Sequence, residues 1–327
     1  MDVLVTGGAG FIGSNLVRCL MASGDRVRVL DDLSSGSEDN LRDGIEAPEL
    51  IVGDIRDPRV ADRAARGVEV VHHLAAVTVA HRRAAEPSRM WRVNVDGTVN
   101  VLRAARDAGV RRVVYASVAP EPRTPAAGRA LRSRVPAPRY LDSKLEGERR
   151  CRVFARSGLV ETVSLRLSDT FGPRQNPSSP HAAVVPRLLS LPAGGPFPLL
   201  PEDRHERRDL NYVANVIQAC LLAALAGDEA VGESVAIGSG TRLSVTEMIV
   251  ELNDLLGRTR APLHAAPRPD RVADLPASLD RPRRLLGYRP LVDLRQGLAH
   301  TLDWLARRER DPGRPERRWA PREVTMA

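Results

Sequence analysis

The sequence predicts an α/β protein: a doubly wound parallel sheet followed by a smaller C-terminal lobe. Three observations carry this. Strand and helix patterns alternate through the first half of the chain, a glycine-rich turn joins the first strand to the first helix, and the composition turns to Pro, Gly and Ser after about residue 168. Alternation of this kind places helices on both faces of a parallel sheet, with right-handed crossovers.

The elements follow in order. Strand patterns run "DVLVTG" (2–7), "RVRVLD" (26–31), "ELIVGDI" (49–55), "VEVVHHLAA" (68–76), "RRVVYAS" (111–117) and "VETVSLRL" (160–167). Each is a short run rich in β-branched residues. Helical patterns lie between them, from Ile12 to about Ser23, over 94–109 and over 144–158. Beyond Ser168, "SDTFGPRQNPSSPHAAVVP" and "LPAGGPFPLLPEDRHERRD" read as long loops, and helical patterns return at 212–226 and 244–257. Long ordered loops in a compact enzyme usually build a site. The reading is a doubly wound domain over 1–168, a lobe over 169–306 with some chain returning to the core, and a basic tail over 307–327. Trp91 and Trp304 read as core anchors.

Composition narrows the class. The 327 residues are 43% hydrophobic and 28% charged, values of a globular chain with ample core. No apolar run is long enough to span a bilayer, and the chain opens directly on a strand pattern, so no membrane segment or signal peptide is expected. Cys19, Cys151 and Cys220 form no paired motif and read as reduced thiols of a cytoplasmic protein. The net charge of +8 raises the question of nucleic acid. The arginines are scattered, however, and only 3% of residues are aromatic, too few for base-stacking platforms. The expectation is no nucleic-acid partner and an anionic small substrate. His72 and His73 lack the rest of a metal shell, so no metal is expected; one reads as facing the core and one as lining a cofactor wall.

"VTGGAGFIGSNL" sets Gly7, Gly10 and Gly13 between a strand and a helix, the context that makes a glycine-rich turn informative. A side chain there would keep backbone N–H groups from a pyrophosphate resting on the helix N-terminus, so Gly7, Gly10, Phe11, Ile12 and Gly13 are candidate contacts. Asp31 lies 18 residues beyond Gly13, at the end of the second strand. A carboxylate there accepts hydrogen bonds from a ribose and repels a 2′-phosphate, and Asp32 adds a second charge, so NAD is expected over NADP. Asp54 and Ile55 follow the third strand, suited to the adenine edge. Leu74, Ala75 and Ala76 supply small residues close to the cofactor.

Together with "DDLSSGSEDNL", "GDIRD", "NVDGTVNVLRAARDAGVRRVVYAS", Tyr140-x-x-x-Lys144, "FGPRQ", "IGSG" and "RRLLGYRP", this turn identifies a resemblance. The chain resembles extended short-chain dehydrogenase/reductases of the NAD-dependent epimerase/dehydratase family, closest to UDP-glucose 4-epimerase-like enzymes, up to about residue 305. The resemblance implies a Rossmann-type domain, bound NAD, a nucleotide-sugar substrate and a homodimer formed by helices at 94–109 and 139–157. It implies that Tyr140 removes a proton from a sugar hydroxyl. A free tyrosine has a pKa of about 10, and the ammonium of Lys144, one helical turn away, is expected together with the nicotinamide's positive charge to lower it and to hold the ribose. Asn94 matches the asparagine that buttresses this region, and Ser117 falls among the cofactor contacts.

The chain departs from the family at its expected site. Where relatives carry a second hydroxyl residue that bonds the reacting sugar, this chain has Val118. Neighbours on a strand face opposite ways, so Ser117 replaces it only after a local adjustment, and Thr124 is a more distant candidate. Dehydratases and decarboxylases of the family place acids just beyond, where this chain has Ala119 and Pro120, with Glu121 nearby. Epimerisation at C4 tolerates these absences best. On the substrate side Asp169 stands where relatives have an asparagine near the diphosphate. Arg208 and Arg268 match arginines that clamp it, and Ala214-Asn215 replaces an acidic pair. Three readings follow: a nucleotide-sugar epimerase, another enzyme of the same superfamily that oxidises C4, or a weakly active or inactive nucleotide-sugar binding protein.

Overall fold

Alternating apolar residues in the short strands bury both faces of a sheet. Val3 and Val5 point to one side and Leu4 to the other, each essentially inaccessible to solvent. The computed structural model describes residues 1–42, 47–78, 87–119, 137–175, 185, 207–257 and 278–310. In chain order the first elements are β1 (Asp2–Thr6), α1 (Phe11–Ala22), β2 (Arg26–Asp31), α2 (Asp39–Arg42), β3 (Glu49–Val52), α3 (Pro58–Ala65) and β4 (Val70–His73). Then come α4 (Pro87–Trp91), a π-helical turn (Arg92–Gly97), α5 (Thr98–Asp107), β5 (Arg112–Val118), α6 (Ala137–Arg156), β6 (Glu161–Leu167) and β7 (Asp169–Phe171). The remainder is β8 (Arg207–Tyr212), α7 (Val213–Leu225), β9 (Ser234–Ile237), β10 (Arg242–Ser244), α8 (Val245–Leu255), α9 (Asp280–Leu286) and α10 (Leu294–Arg310).

Seven strands form one parallel sheet in the order β3-β2-β1-β4-β5-β6-β9. The order reverses between β1 and β4, and the crevice outside the carboxyl ends of such strands is where ligands bind. Thr6, Asp31, His73, Val118 and Leu167 all end strands on that edge. One apolar layer joins α1 and α7 to the sheet through Leu16, Leu20, Val216 and Leu165. The other joins α5 and α6 through Leu102, Ala105 and Cys151.

Local chemistry sets the boundaries. Asp57 caps α3 by accepting from the Arg59 N–H at 2.9 Å, with Pro58 at the first helical position, where its missing donor costs nothing. Ser244 and Glu247 close a capping box at the start of α8.

The second half differs from its sequence pattern in two ways. Arg207–Tyr212, whose first three residues fall in a stretch read as loop, is strand β8, pairing with β7 in parallel and β10 antiparallel to make a small second sheet. Asp169–Phe171, also read as loop, is β7. Arg207 and Arg208 open β8 half-buried, while Leu210 and Tyr212 join the core. Trp91 is 44% exposed, so it is not the core anchor its size suggested. Trp304 is half-buried and lies under the Arg308 guanidinium, 5.3 Å from the ring centre. Helix α10 continues to Arg310, past the point where the tail was placed. Among the described residues, no helix is long and apolar enough to cross a membrane.

Candidate active site

The turn after β1 brings two backbones into contact. Gly7 has φ +71°, and a Cβ there would lie 2.7 Å from the Ala75 nitrogen, beyond the end of β4. A Cβ on Gly13 would overlap the Gly7 carbonyl oxygen, so α1 packs against the turn only with glycine at both places. Gly10 is the N-cap of α1, and no acid stands in the helix's first turn. The N–H groups there lack intrahelical acceptors and favour an anion.

Asp31 ends β2 almost fully buried, accepting from the Ala9 N–H and the Leu33 N–H, both at 2.9 Å. Burial raises its carboxyl above the ordinary range, opposed by those two donors. Asp32 faces outward and takes the Ser34 hydroxyl at 2.6 Å. Asp54 accepts from the backbone and guanidinium of Arg56. Burial alone would raise it, but the Arg56 hydrogen bonds outweigh burial and hold it below the usual carboxylate value. It borders an open depression of about 430 Å³ shared with Arg56, Asp57, Arg92 and Asp96. Ile55 is buried, and Leu74, Ala75 and Ala76 are half-buried beyond β4.

Tyr140 and Lys144 stand one turn apart on α6. Lys144 is 3% exposed, and its Nζ lies 4.3 Å from the centre of the Tyr115 ring, whose hydroxyl donates to the Lys144 carbonyl at 3.2 Å. Burial pulls the ammonium down to about 7. Tyr140 is half-buried against the same apolar layer, and burial pushes its phenol up to about 12. Burial thus acts against the lowering expected from Lys144 together with the nicotinamide's charge.

The two histidines are both buried, and neither lines a wall. His72 leaves Nδ1 without a partner, and burial lowers its pKa to about 4. His73 sits between two hydroxyls, Thr6 at 2.6 Å and Thr98 at 2.9 Å. Thr98 donates to the Asn94 carbonyl, so His73 donates from Nε2 and accepts from Thr6 at Nδ1. Asn94 lies in the π-helical turn, pairs twice with the Val77 backbone and donates to Ser143 at 3.0 Å, which donates to the Tyr140 carbonyl at 2.8 Å. A buried polar chain thus joins the end of β1 to the helix carrying Tyr140. Neither its length nor the Tyr115–Lys144 contact is visible in sequence spacing, since the links from Thr6 to His73, His73 to Thr98 and Asn94 to Ser143 are long-range.

Ser117 is turned inward. Its hydroxyl donates to Glu148 on α6 at 3.1 Å, and Glu148 also receives Arg166 at 2.6 and 2.9 Å and Ser234 at 2.7 Å. Tyr115 and Ser117 share the α6 face of β5, and Val118 ends the strand half-buried. Thr124, Pro120 and Glu121 lie outside the described residues, as does Arg268. Asp169 and Arg208 meet: the guanidinium donates to Asp169 Oδ2 at 3.0 Å. Asn215 is buried and binds the backbone of Leu291 and Val292, a structural role for a residue flagged on the substrate side. The "FGPRQ" stretch docks on α1, with Arg174 donating to Asn15 at 2.5 Å.

A reversing parallel sheet, a glycine turn before a helix N-terminus and an acid ending the second strand define a Rossmann-type dinucleotide-binding protein, here with a tyrosine–lysine pair at the carboxyl edge. The chain belongs to the NAD dependent epimerase/dehydratase family, whose model matches residues 3–238. It is 34% identical over 313 residues to a UDP-glucose 4-epimerase of Mycolicibacterium smegmatis, covering 93% of this chain and 98% of that one. It is 30% identical to a dTDP-glucose 4,6-dehydratase of Streptomyces niveus, covering 93% and 92%. The crystal structure of a UDP-glucose 4-epimerase with UDP-glucose from Thermotoga maritima superposes with a TM-score of 0.78 at 28% identity, covering 94% of this chain and 99% of that one.

Proposed function

We propose that the protein is an NAD-dependent nucleotide-sugar 4-epimerase. The observation that carries this is the Tyr140–Lys144 pair on one turn of α6, with Lys144 buried over Tyr115 at the carboxyl edge of a sheet that carries a glycine turn. The turn fits a dinucleotide because a Cβ at Gly7 or Gly13 would collide with backbone. In this reading Gly7, Gly10, Phe11, Ile12 and Gly13 receive the pyrophosphate, Asp31 and Asp32 the ribose side, and Asp54 and Ile55 the adenine. Leu74 to Ala76 line the cofactor. Bound NAD supplies the hydride acceptor and donor. Tyr140 takes the proton from the C4 hydroxyl at its phenolic oxygen and returns it after the sugar turns over. Lys144 holds positive charge beside it, and Asn94 fixes the helix turn through Ser143.

A second reading, a weakly active or inactive nucleotide-sugar binding protein, is favoured by one observation. The hydroxyl nearest the strand end, Ser117, is committed to Glu148, and Val118 supplies none. The dehydratase relative keeps a keto-sugar product in play, although Ala119 offers no acid where that chemistry needs one. In each reading the protein is a homodimer through the faces of α5 and α6. Its unbridged cysteines suit the reducing cytoplasm. The test is a panel of nucleotide sugars added to purified, NAD-loaded protein. Product interconversion without accumulating NADH supports the epimerase, lasting NADH supports keto-sugar release, and binding without turnover supports the binder.

A further inference from the structure

We propose that Asp169 is a built-in competitor for Arg208, so that this chain holds a diphosphate weakly and selects its ligand by phosphate charge. The inference rests on the nucleotide-sugar reading above and concerns the part of that substrate this edge of the cleft meets.

The pair is placed by strand register. Asp169 opens β7 two residues beyond the end of β6 at Leu167, and Leu167 lies opposite Val118 at the end of β5. Across the second sheet Asp169 stands opposite Leu210, so Arg208, two residues back on β8, is its diagonal neighbour on the same face. The guanidinium reaches over and donates to Asp169 Oδ2 at 3.0 Å. Both side chains stay open to solvent, 25% and 32% exposed, so an incoming ligand reaches them.

A guanidinium suits a phosphate because its fork of donors matches two oxygens at once. Here a carboxylate already occupies part of that fork and cancels its charge. The neighbouring cation does not compensate: Arg207 is tied to the Arg242 carbonyl at 3.0 Å and to Glu247 at 3.2 Å. Asp209, next along β8, is bound through Oδ1 to Ser239. An arriving diphosphate must displace Asp169 from Arg208 or bind beside its negative charge. A monophosphate, with less charge and shorter reach, loses less. The family resemblance implies that Asp169 lies near the diphosphate; the structure adds that its charge meets the Arg208 guanidinium.

The test is calorimetric titration of the NAD-loaded full chain with UDP, dTDP, UMP and UDP-glucose, comparing the wild type with Asp169→Asn. Asparagine keeps the shape and an acceptor for Arg208 but removes the charge. Asp169→Ser serves as a second variant, and thermal unfolding with NAD content checks that each is folded. The expected result is about tenfold or more tighter binding of UDP or dTDP in both variants, less than about threefold for UMP, and a steeper salt dependence. In an Arg208→Gln background the gain disappears, because the two residues act as one unit. Equal diphosphate affinity with and without Asp169, or an equal gain in the Arg208→Gln background, overturns the proposal and leaves the nucleotide-sugar reading standing. No binding of any of the four ligands to either form overturns both.

Discussion

Replacing Val118 by threonine tests whether the missing hydroxyl limits this enzyme. Threonine matches valine in size, and Val118 is half-buried at the strand end, so the variant should fold with a stability change within about 1 kcal/mol. The wild type has one nearby alternative, Ser117. To serve, it must leave Glu148, a carboxylate also bound by Arg166 and Ser234. A hydrogen bond to a charged group is worth roughly 1.5–3 kcal/mol, a cost of about 10- to 150-fold in rate. A hydroxyl that bonds the substrate's oxygen in the transition state is worth about 2.7–4 kcal/mol, or 10²–10³ in kcat. On the proposed epimerase reading, steady-state interconversion of UDP-glucose and UDP-galactose by NAD-loaded protein should therefore show kcat about 100-fold higher in Val118→Thr, with KM little changed. Ser117→Ala should lower the melting temperature slightly and leave kcat within about threefold. Unchanged kcat in folded Val118→Thr, together with a collapse in Ser117→Ala, would refute the reasoning and make Ser117 the working hydroxyl.

Other expectations follow from the same geometry. Gly13→Ala drives a Cβ into the Gly7 carbonyl, so NAD binding measured by fluorescence titration should fall by at least about 100-fold, and retained affinity would show that the turn relaxes. Lys144 has a folded-state value of about 7 against the ordinary 10.5, so the unfolded chain binds more protons between those values. Stability of the cofactor-free protein should therefore climb from pH 7 towards pH 10 by an amount on the order of a few kcal/mol, and be lost as pH falls through 7. Denaturant melts should show this slope flattened in Lys144→Met. Glu148→Gln keeps the shape but removes the charge facing Arg166, and should cost about 3 kcal/mol or more in the same melts. A cost below about 1 kcal/mol would mean that network does not hold α6 to β5.

Much of this was legible because the signals were local. Alternating apolar residues at 2–6, 26–31 and 112–118 and the glycines at 7 and 13 placed the main sheet and the nucleotide turn. The second sheet escaped because β7 and β10 have three residues each and β8 opens on Arg207-Arg208-Asp209, a charged run that reads as loop. The pairing of Asp169 with Arg208 spans 39 positions, and that of Ser117 with Glu148 spans 31, so neither follows from spacing. The burial that shifts Tyr140 and Lys144 was not legible for a related reason: it depends on which face of α6 meets the sheet, not on their four-residue spacing. Trp91 was placed inside by size alone, and size does not say which face of a helix meets solvent.

The central claim is that Tyr140 becomes a base only when positive charge joins it. The chain has four tyrosines, so the ultraviolet absorbance of tyrosinate, differenced against Tyr140→Phe, isolates this one. Without cofactor its titration should lie near 12. On saturation with oxidised NAD it should move down by several units, towards neutrality, and the movement should shrink in Lys144→Met. A titration that stays near 12 with NAD bound would contradict the account.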